Sequence, residues 1–99
     1  PWPSFAPHSA AKAAQAMLTR VFARALAPEV RVCGVAPGPV VVEPGQQERR
    51  AAETLVGRVG SAEDVADAVV YLAGADFVTG TSLVVDGGRL LQSERPQTP

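Results

Sequence analysis

Between Val30 and Ala36 the chain is apolar or small on both faces of a strand, and this most narrows what it can become. Val30, Val32, Gly34 and Ala36 fall on one side, with Arg31, Cys33 and Val35 on the other. A strand with two mostly apolar faces needs cover above and below, the condition met in parallel sheets with helices on each side. The flanking segments supply such helices. From His8 to Ala27 no glycine or proline interrupts an alanine-rich stretch. Leu18, Phe22 and Leu26 recur at fourfold spacing, beside Ala14, Met17 and Val21, which predicts an amphipathic helix stopped by Pro28. Residues 1–7 carry three prolines and read as extended loop.

After the strand, Pro37-Gly38-Pro39 is a break, and residues 40–45 form a short valine run and a Pro44-Gly45 turn. Gln46 to Val56 predicts a heavily charged helix with only Ala51, Ala52, Leu55 and Val56 to bury, a segment able to sit loosely on a body and move. Ser61 followed by Asp64 is a capping pair, and Glu63 adds negative charge to the first turn. Val65, Ala68, Val69, Leu72 and Ala73 then recur at helical spacing until Gly74 ends the helix. Thr81 to Asp86 is a second strand, closed by Gly87-Gly88. Strand, helix, strand makes one parallel β-α-β crossover. Residues 92–99, with two prolines, read as a flexible tail.

Nine basic and ten acidic residues give a net charge of −1 and are scattered, so there is no electrostatic footprint for nucleic acid. No apolar run is long enough to span a bilayer, and no signal-peptide pattern is present. The single cysteine, Cys33, offers neither an internal disulfide nor metal-ligand spacing. A cytoplasmic location is expected. Two strands make a poor sheet. Together with a start at Pro1-Trp2-Pro3, this leads us to expect a partial domain, the C-terminal part of something longer.

Four stretches in order carry a resemblance: His8-Ser9-Ala10-Ala11-Lys12, Val32-Cys33-Gly34-Val35-Ala36-Pro37-Gly38, Arg58-Val59-Gly60-Ser61-Ala62-Glu63-Asp64-Val65-Ala66, and Val78-Thr79-Gly80 with Val85-Asp86-Gly87-Gly88. From about Phe5 to Leu91 the chain resembles the C-terminal part of a short-chain dehydrogenase/reductase. The resemblance implies an α/β fold: the C-terminal portion of a Rossmann-like doubly wound parallel sheet, ordered long helix, strand, lid helix, helix, strand. It also implies NAD or NADP as cofactor, a small-molecule carbonyl or alcohol substrate, and a homo-oligomer. In the family's Tyr-x-x-x-Lys, the phenol exchanges a proton with the substrate oxygen. The lysine holds the nicotinamide ribose and stabilises the phenolate. Helical i, i+4 spacing puts both on one face.

Lys12 matches the lysine, and Pro37, Gly38 and Val40 match the segment that passes the nicotinamide. His8 stands at the tyrosine, Cys33 at a common asparagine, and Val42 where many members place a threonine. The family's Gly-rich first turn, which presents a helix N-terminus to the pyrophosphate, and its catalytic serine are not among these 99 residues. The chain alone is therefore expected to hold a dinucleotide poorly.

The His8 ring is shorter than a phenol, so its nitrogen falls short of the family's phenol oxygen position. Two readings stay open for it: a substitute acid, or an inactivating or merely structural residue. Asp86 has a plain role in satisfying backbone donors of the terminal turn. Cys33 reads as a small strand residue. The cluster Glu48, Arg49, Arg50 and Glu53 reads as a solvated face, on a segment that covers substrate in the family. The rival to an enzyme-derived domain is a non-catalytic module retaining the first helix and last strand as interaction surfaces.

Overall fold

The computed structural model describes residues 6–93. In chain order it contains α1 (Ala6–Leu26), β1 (Gly34–Pro37), α2 (Gln47–Ala52), α3 (Ala62–Gly74), β2 (Ser82–Val85) and α4 (Arg89–Ser93). The chain divides into two compact units, one of Pro1–Gly34 with Leu72–Leu83, the other of Val35–Tyr71 with Val84–Pro99. The strands and α3 contribute residues to both.

In the first unit, α1 begins at Ala6, not after residue 7. Pro7 is tolerated because a first-turn amide has no intrahelical acceptor, so its missing donor costs nothing there. The expected loop therefore shrinks, and Pro1 to Phe5 lie outside the described residues. The helix ends at Leu26, two residues before Pro28. Only Ala23 is buried along it, whereas Met17, Leu18, Val21, Phe22 and Leu26 stay about half exposed. The packed face belongs to Thr19 and Ala23, one turn apart. A Cβ built on Gly80 would lie 3.4 Å from Ala23 Cβ, and one on Gly34 would lie 3.8 Å from Thr19 Oγ1. Small residues let the backbones approach, and the larger stripe expected to supply the core lies on the neighbouring face.

The strand is shorter than the Val30–Ala36 expectation. The Val32 amide donates to Thr79 Oγ1 at 3.1 Å and its carbonyl accepts from the Gly80 amide at 2.8 Å, and the strand itself starts only where the Gly34 amide meets the Thr81 carbonyl at 2.9 Å. Arg31 is occupied by another task. Its guanidinium donates to the carbonyls of Leu72 (2.8 Å), Ala73 (2.9 Å) and Val78 (3.2 Å), closing the C-terminal end of α3.

In the second unit, the Gly38 amide donates to the Val85 carbonyl at 2.9 Å. From Gly34–Thr81 to Gly38–Val85 both strands advance in the same sense, so β1 and β2 run parallel. They form a two-stranded sheet. The N-terminus of α3 carries the expected reciprocal cap. The Ser61 amide donates to Asp64 Oδ2 at 2.7 Å, and the Asp64 amide donates to Ser61 Oγ at 3.2 Å. The predicted helix over Gln46–Val56 contracts to α2, because residues 53–58 fold into turns around Thr54. Thr54 is buried; its hydroxyl, with a single proton to donate, lies 2.9 Å from the Ala51 carbonyl and 3.0 Å from the Arg58 carbonyl and accepts from the amides of Gly57 and Arg58. Gln92 and Ser93 were expected in a flexible tail but belong to α4. That helix forms because Asp86 accepts from the amides of Gly88 (2.9 Å) and Leu90 (3.0 Å). The rest of the expected tail, residues 94–99, lies outside the described residues.

Among the described residues the buried set is small: Ala23, Ala68, Leu72 and Thr54. A chain that is 46% hydrophobic thus leaves most of its large apolar side chains partly open to solvent.

Candidate active site

The candidate residues fall in two groups. His8 and Lys12 lie in the first unit, four residues apart on α1, on one helix face as their spacing requires. Both are exposed. Pro37, Gly38 and Val40 lie in the second unit, where β1 ends.

Gly38 is fixed there by close approach. A Cβ on it would lie 2.7 Å from Asp86 Cα and 2.8 Å from Asp86 Cβ, contacts no side chain could accept without the backbone shifting. The Pro39 carbonyl then accepts from the Gly60 amide at 2.9 Å, which holds the segment after β1 against the start of α3. Gly38, Pro39 and Val40 thereby form one wall of a cavity of about 490 Å³. Val56, Arg58, Gly60, Asp64 and Asp67 form another, and residues 84–88 complete it.

Two of the cavity's charges, Arg58 and Asp64, are committed to each other. Arg58 Nη1 and Nη2 lie 2.9 and 3.3 Å from the Asp64 carboxylate. That guanidinium, followed by the Ser61 amide and hydroxyl, holds the Asp64 carboxyl well below the usual carboxylate range, and Asp64 in turn raises Arg58. Asp86 is bound to the turn that opens α4, the plain role its position suggests. Among the described residues no group of three or more His, Cys, Asp or Glu side chains is arranged to hold a metal ion.

Sequence reasoning did not single out Thr54, nor Arg58 and Asp64 as partners. The signals were present: Thr54 stands three residues before Gly57, and Arg58 lies six before a capping carboxylate. Nothing in their spacing indicated a shared cavity wall.

A family profile described as enoyl-(acyl carrier protein) reductase matches residues 1–89. The chain belongs to the short-chain dehydrogenase/reductase family. Its fold is accordingly α/β, a portion of that family's Rossmann-like sheet. It is 44% identical over 102 residues to 3beta-hydroxysteroid dehydrogenase 1 of Eggerthella lenta, covering 92% of this chain and 39% of that protein. It is 38% identical over 89 residues to a dihydromonapterin reductase of Klebsiella pneumoniae, covering 86% and 37%. Among solved structures, acetoin dehydrogenase YohF from Salmonella typhimurium superposes with a TM-score of 0.79 at 37% identity, covering 99% of this chain and 40% of that one. A small-chain dehydrogenase in complex with NADPH superposes with a TM-score of 0.74 at 34% identity, covering 80% and 40%. The chain thus spans about two-fifths of the length of the relatives it matches. Among the described residues no helix is long and apolar enough to cross a membrane.

The residues that the family resemblance assigns to a nicotinamide dinucleotide are divided between the two units. Lys12 presents a free ammonium on α1, and the backbone after Pro37 turns past a cavity. At the starts of α2 and α3 a phosphate would meet carboxylates, whereas the first turns of α1 and α4 carry none. The first turn of α2 carries Glu48, and that of α3 carries Glu63 and the capping Asp64, so each already holds negative charge where phosphate would need an open positive end.

Proposed function

We propose that this chain is the nicotinamide-side part of an NAD- or NADP-dependent oxidoreductase acting between alcohol and carbonyl, or on an enoyl group. In this reading the proton-transfer position is held by His8 rather than by a tyrosine. The observation that supports it most is the ordered set of four family stretches, with Lys12 one helical turn after His8 on an exposed face of α1. Lys12 holds the nicotinamide ribose, and the Pro37–Val40 backbone bounds the nicotinamide. The dinucleotide supplies hydride transfer when bound. His8 meets the substrate oxygen with a ring shorter than a phenol, which leaves a gap where a proton must cross within hydrogen-bond reach. The chain by itself is non-catalytic, and α2 is part of the cover over the substrate. The substrate is a small carbonyl or alcohol compound, and the working protein is a homo-oligomer.

A second reading is favoured by one observation, the half-exposed stripe of Met17, Leu18, Val21, Phe22 and Leu26 on α1. On that reading the chain is an interaction module, and the Lys12 ammonium has no ligand.

A graft separates the two. Residues 6–91 replace the matching segment of the Eggerthella lenta relative, and binding of NADH and NADPH is followed by fluorescence titration. The expected result is saturable binding of one of the two that weakens at least about tenfold in Lys12→Ala, a loss in keeping with a charged hydrogen bond. A folded graft that binds equally well with and without Lys12 would overturn the cofactor assignment.

A further inference from the structure

We propose that Arg58 is a positioning residue for the cofactor segment Pro37–Val40, acting through Gly60 on the Pro39 carbonyl. The role rests on the cofactor reading of that segment, and the contacts that carry it lie wholly within the second unit. Past the end of β1 the Gly38 amide still pairs with the Val85 carbonyl, at 2.9 Å. Beyond it the segment leaves the sheet, and its peptides need another anchor. Pro39 has no amide to donate, so its carbonyl is the group by which it can be held. That carbonyl accepts from the Gly60 amide at 2.9 Å. A Cβ on Gly60 would lie 3.5 Å from the Pro39 oxygen, 3.5 Å from Val40 Cγ2 and 3.6 Å from Asp64 Oδ2. Gly60 is thus packed between the segment after β1 and the cap of α3.

Arg58 closes a ring around Gly60. Its Nη1 donates to the Val59 carbonyl at 3.1 Å and to Asp64 Oδ2 at 2.9 Å, and Nη2 donates to Asp64 Oδ1 at 3.3 Å. One guanidinium therefore ties the residue before Gly60 to a carboxylate on the helix after it. A planar fork can make both bonds to one carboxylate, which an ammonium cannot do in the same geometry. The Arg58 backbone is fixed in turn by buried Thr54: its amide donates to Thr54 Oγ1 at 3.2 Å, and its carbonyl lies 3.0 Å from the same oxygen. With both terminal nitrogens engaged inside the ring, Arg58 acts on the cavity wall through Gly60 instead of meeting a ligand itself. Removing the side chain leaves the Ser61–Asp64 cap of α3 in place. What is lost is the tie across Gly60, so the effect falls on the Pro39 bond and not on the helix.

Two readouts test this. In the 99-residue chain, amide hydrogen exchange followed by NMR is expected to quicken at Gly60 by about threefold to tenfold in Arg58→Ala, with the sheet amide of Gly34 unchanged. In the graft, fluorescence titration with NADH and NADPH is expected to show the bound one held about threefold to tenfold more weakly in Arg58→Ala. Arg31→Ala, which weakens the other end of α3 in the first unit, separates positioning from general stability. It is expected to leave both readouts within about twofold of the unaltered protein. Unchanged Gly60 exchange in Arg58→Ala would overturn the proposal, and so would quickened exchange with unaltered cofactor affinity. An equal loss of affinity in Arg31→Ala would overturn it too, since any weakening of the fold would then suffice. Cofactor binding that ignores Lys12 would overturn the cofactor assignment, and with it the role of Arg58 toward that cofactor, whereas Gly60 exchange still decides whether Arg58 holds Pro39. Should Arg58→Ala fail to fold, Arg58→Lys, which gives up the two-bonded fork, is read in the same way.

Discussion

Asp64 does three jobs with one carboxylate: it closes the cap of α3, receives the Arg58 guanidinium and lines the cavity. Because its folded carboxyl is held below the usual range, the native state releases that proton more readily than the unfolded chain does. The resulting stabilisation is fully present above the unfolded value, near pH 4, and is lost as pH falls through the lower folded value. Glu53, lowered chiefly by Arg50 and also by Arg89, acts in the same direction. The thermal midpoint of the chain is therefore expected to drop as pH falls from about 5 to 2, and Asp64→Asn is expected to flatten part of that drop while lowering the midpoint at pH 7. A variant with the same acid slope as the unaltered chain would contradict this role. The Ser61–Asp64 pair was legible because a capping box is a fixed interval in sequence. The Arg58 contact was not, since a side chain reaching back from a loop follows no periodicity.

At the scale of elements, α1, α3 and β2 were legible close to their observed bounds, whereas β1 and α2 contracted and α4 was read as tail. The fourfold apolar spacing located α1, yet the buried contact went to Thr19 and Ala23, because hydrophobic pattern reports apolar area and close backbone approach selects small residues. The Val30–Ala36 strand lost its first half because the Val32 amide found a threonine hydroxyl and Arg31 found a helix end. Arg31 closes that end with three charge-assisted bonds. Arg31→Ala is expected to cost about 1–3 kcal/mol in urea unfolding and to raise exchange at the last turn of α3. An unchanged midpoint would show that water replaces the guanidinium without loss. The α2 region was read as a loose charged helix. Its charges are in part structural, because Glu53 reaches Arg89 from 36 residues away in sequence, which no local pattern announces.

For the molecule as a whole, family and fold were legible from four short stretches that stand in order at compatible spacing. The site was legible only in part. The family resemblance, rather than periodicity, singled out Lys12, Pro37, Gly38 and Val40 for the cofactor and His8 as the residue at the tyrosine position. The cavity beside Val40 depends on residues 54–60 folding onto Gly87 and Gly88, a long-range packing event. We propose that this chain keeps the cofactor-facing lysine of a short-chain dehydrogenase/reductase while His8 leaves the proton-transfer position impaired. The measurement that meets it most directly is carbonyl-reduction turnover by the graft described above, with His8 and with His8→Tyr. Turnover at least about a hundredfold faster after His8→Tyr, with cofactor affinity unchanged, is the predicted result. Equal or faster turnover with His8 in place would contradict it.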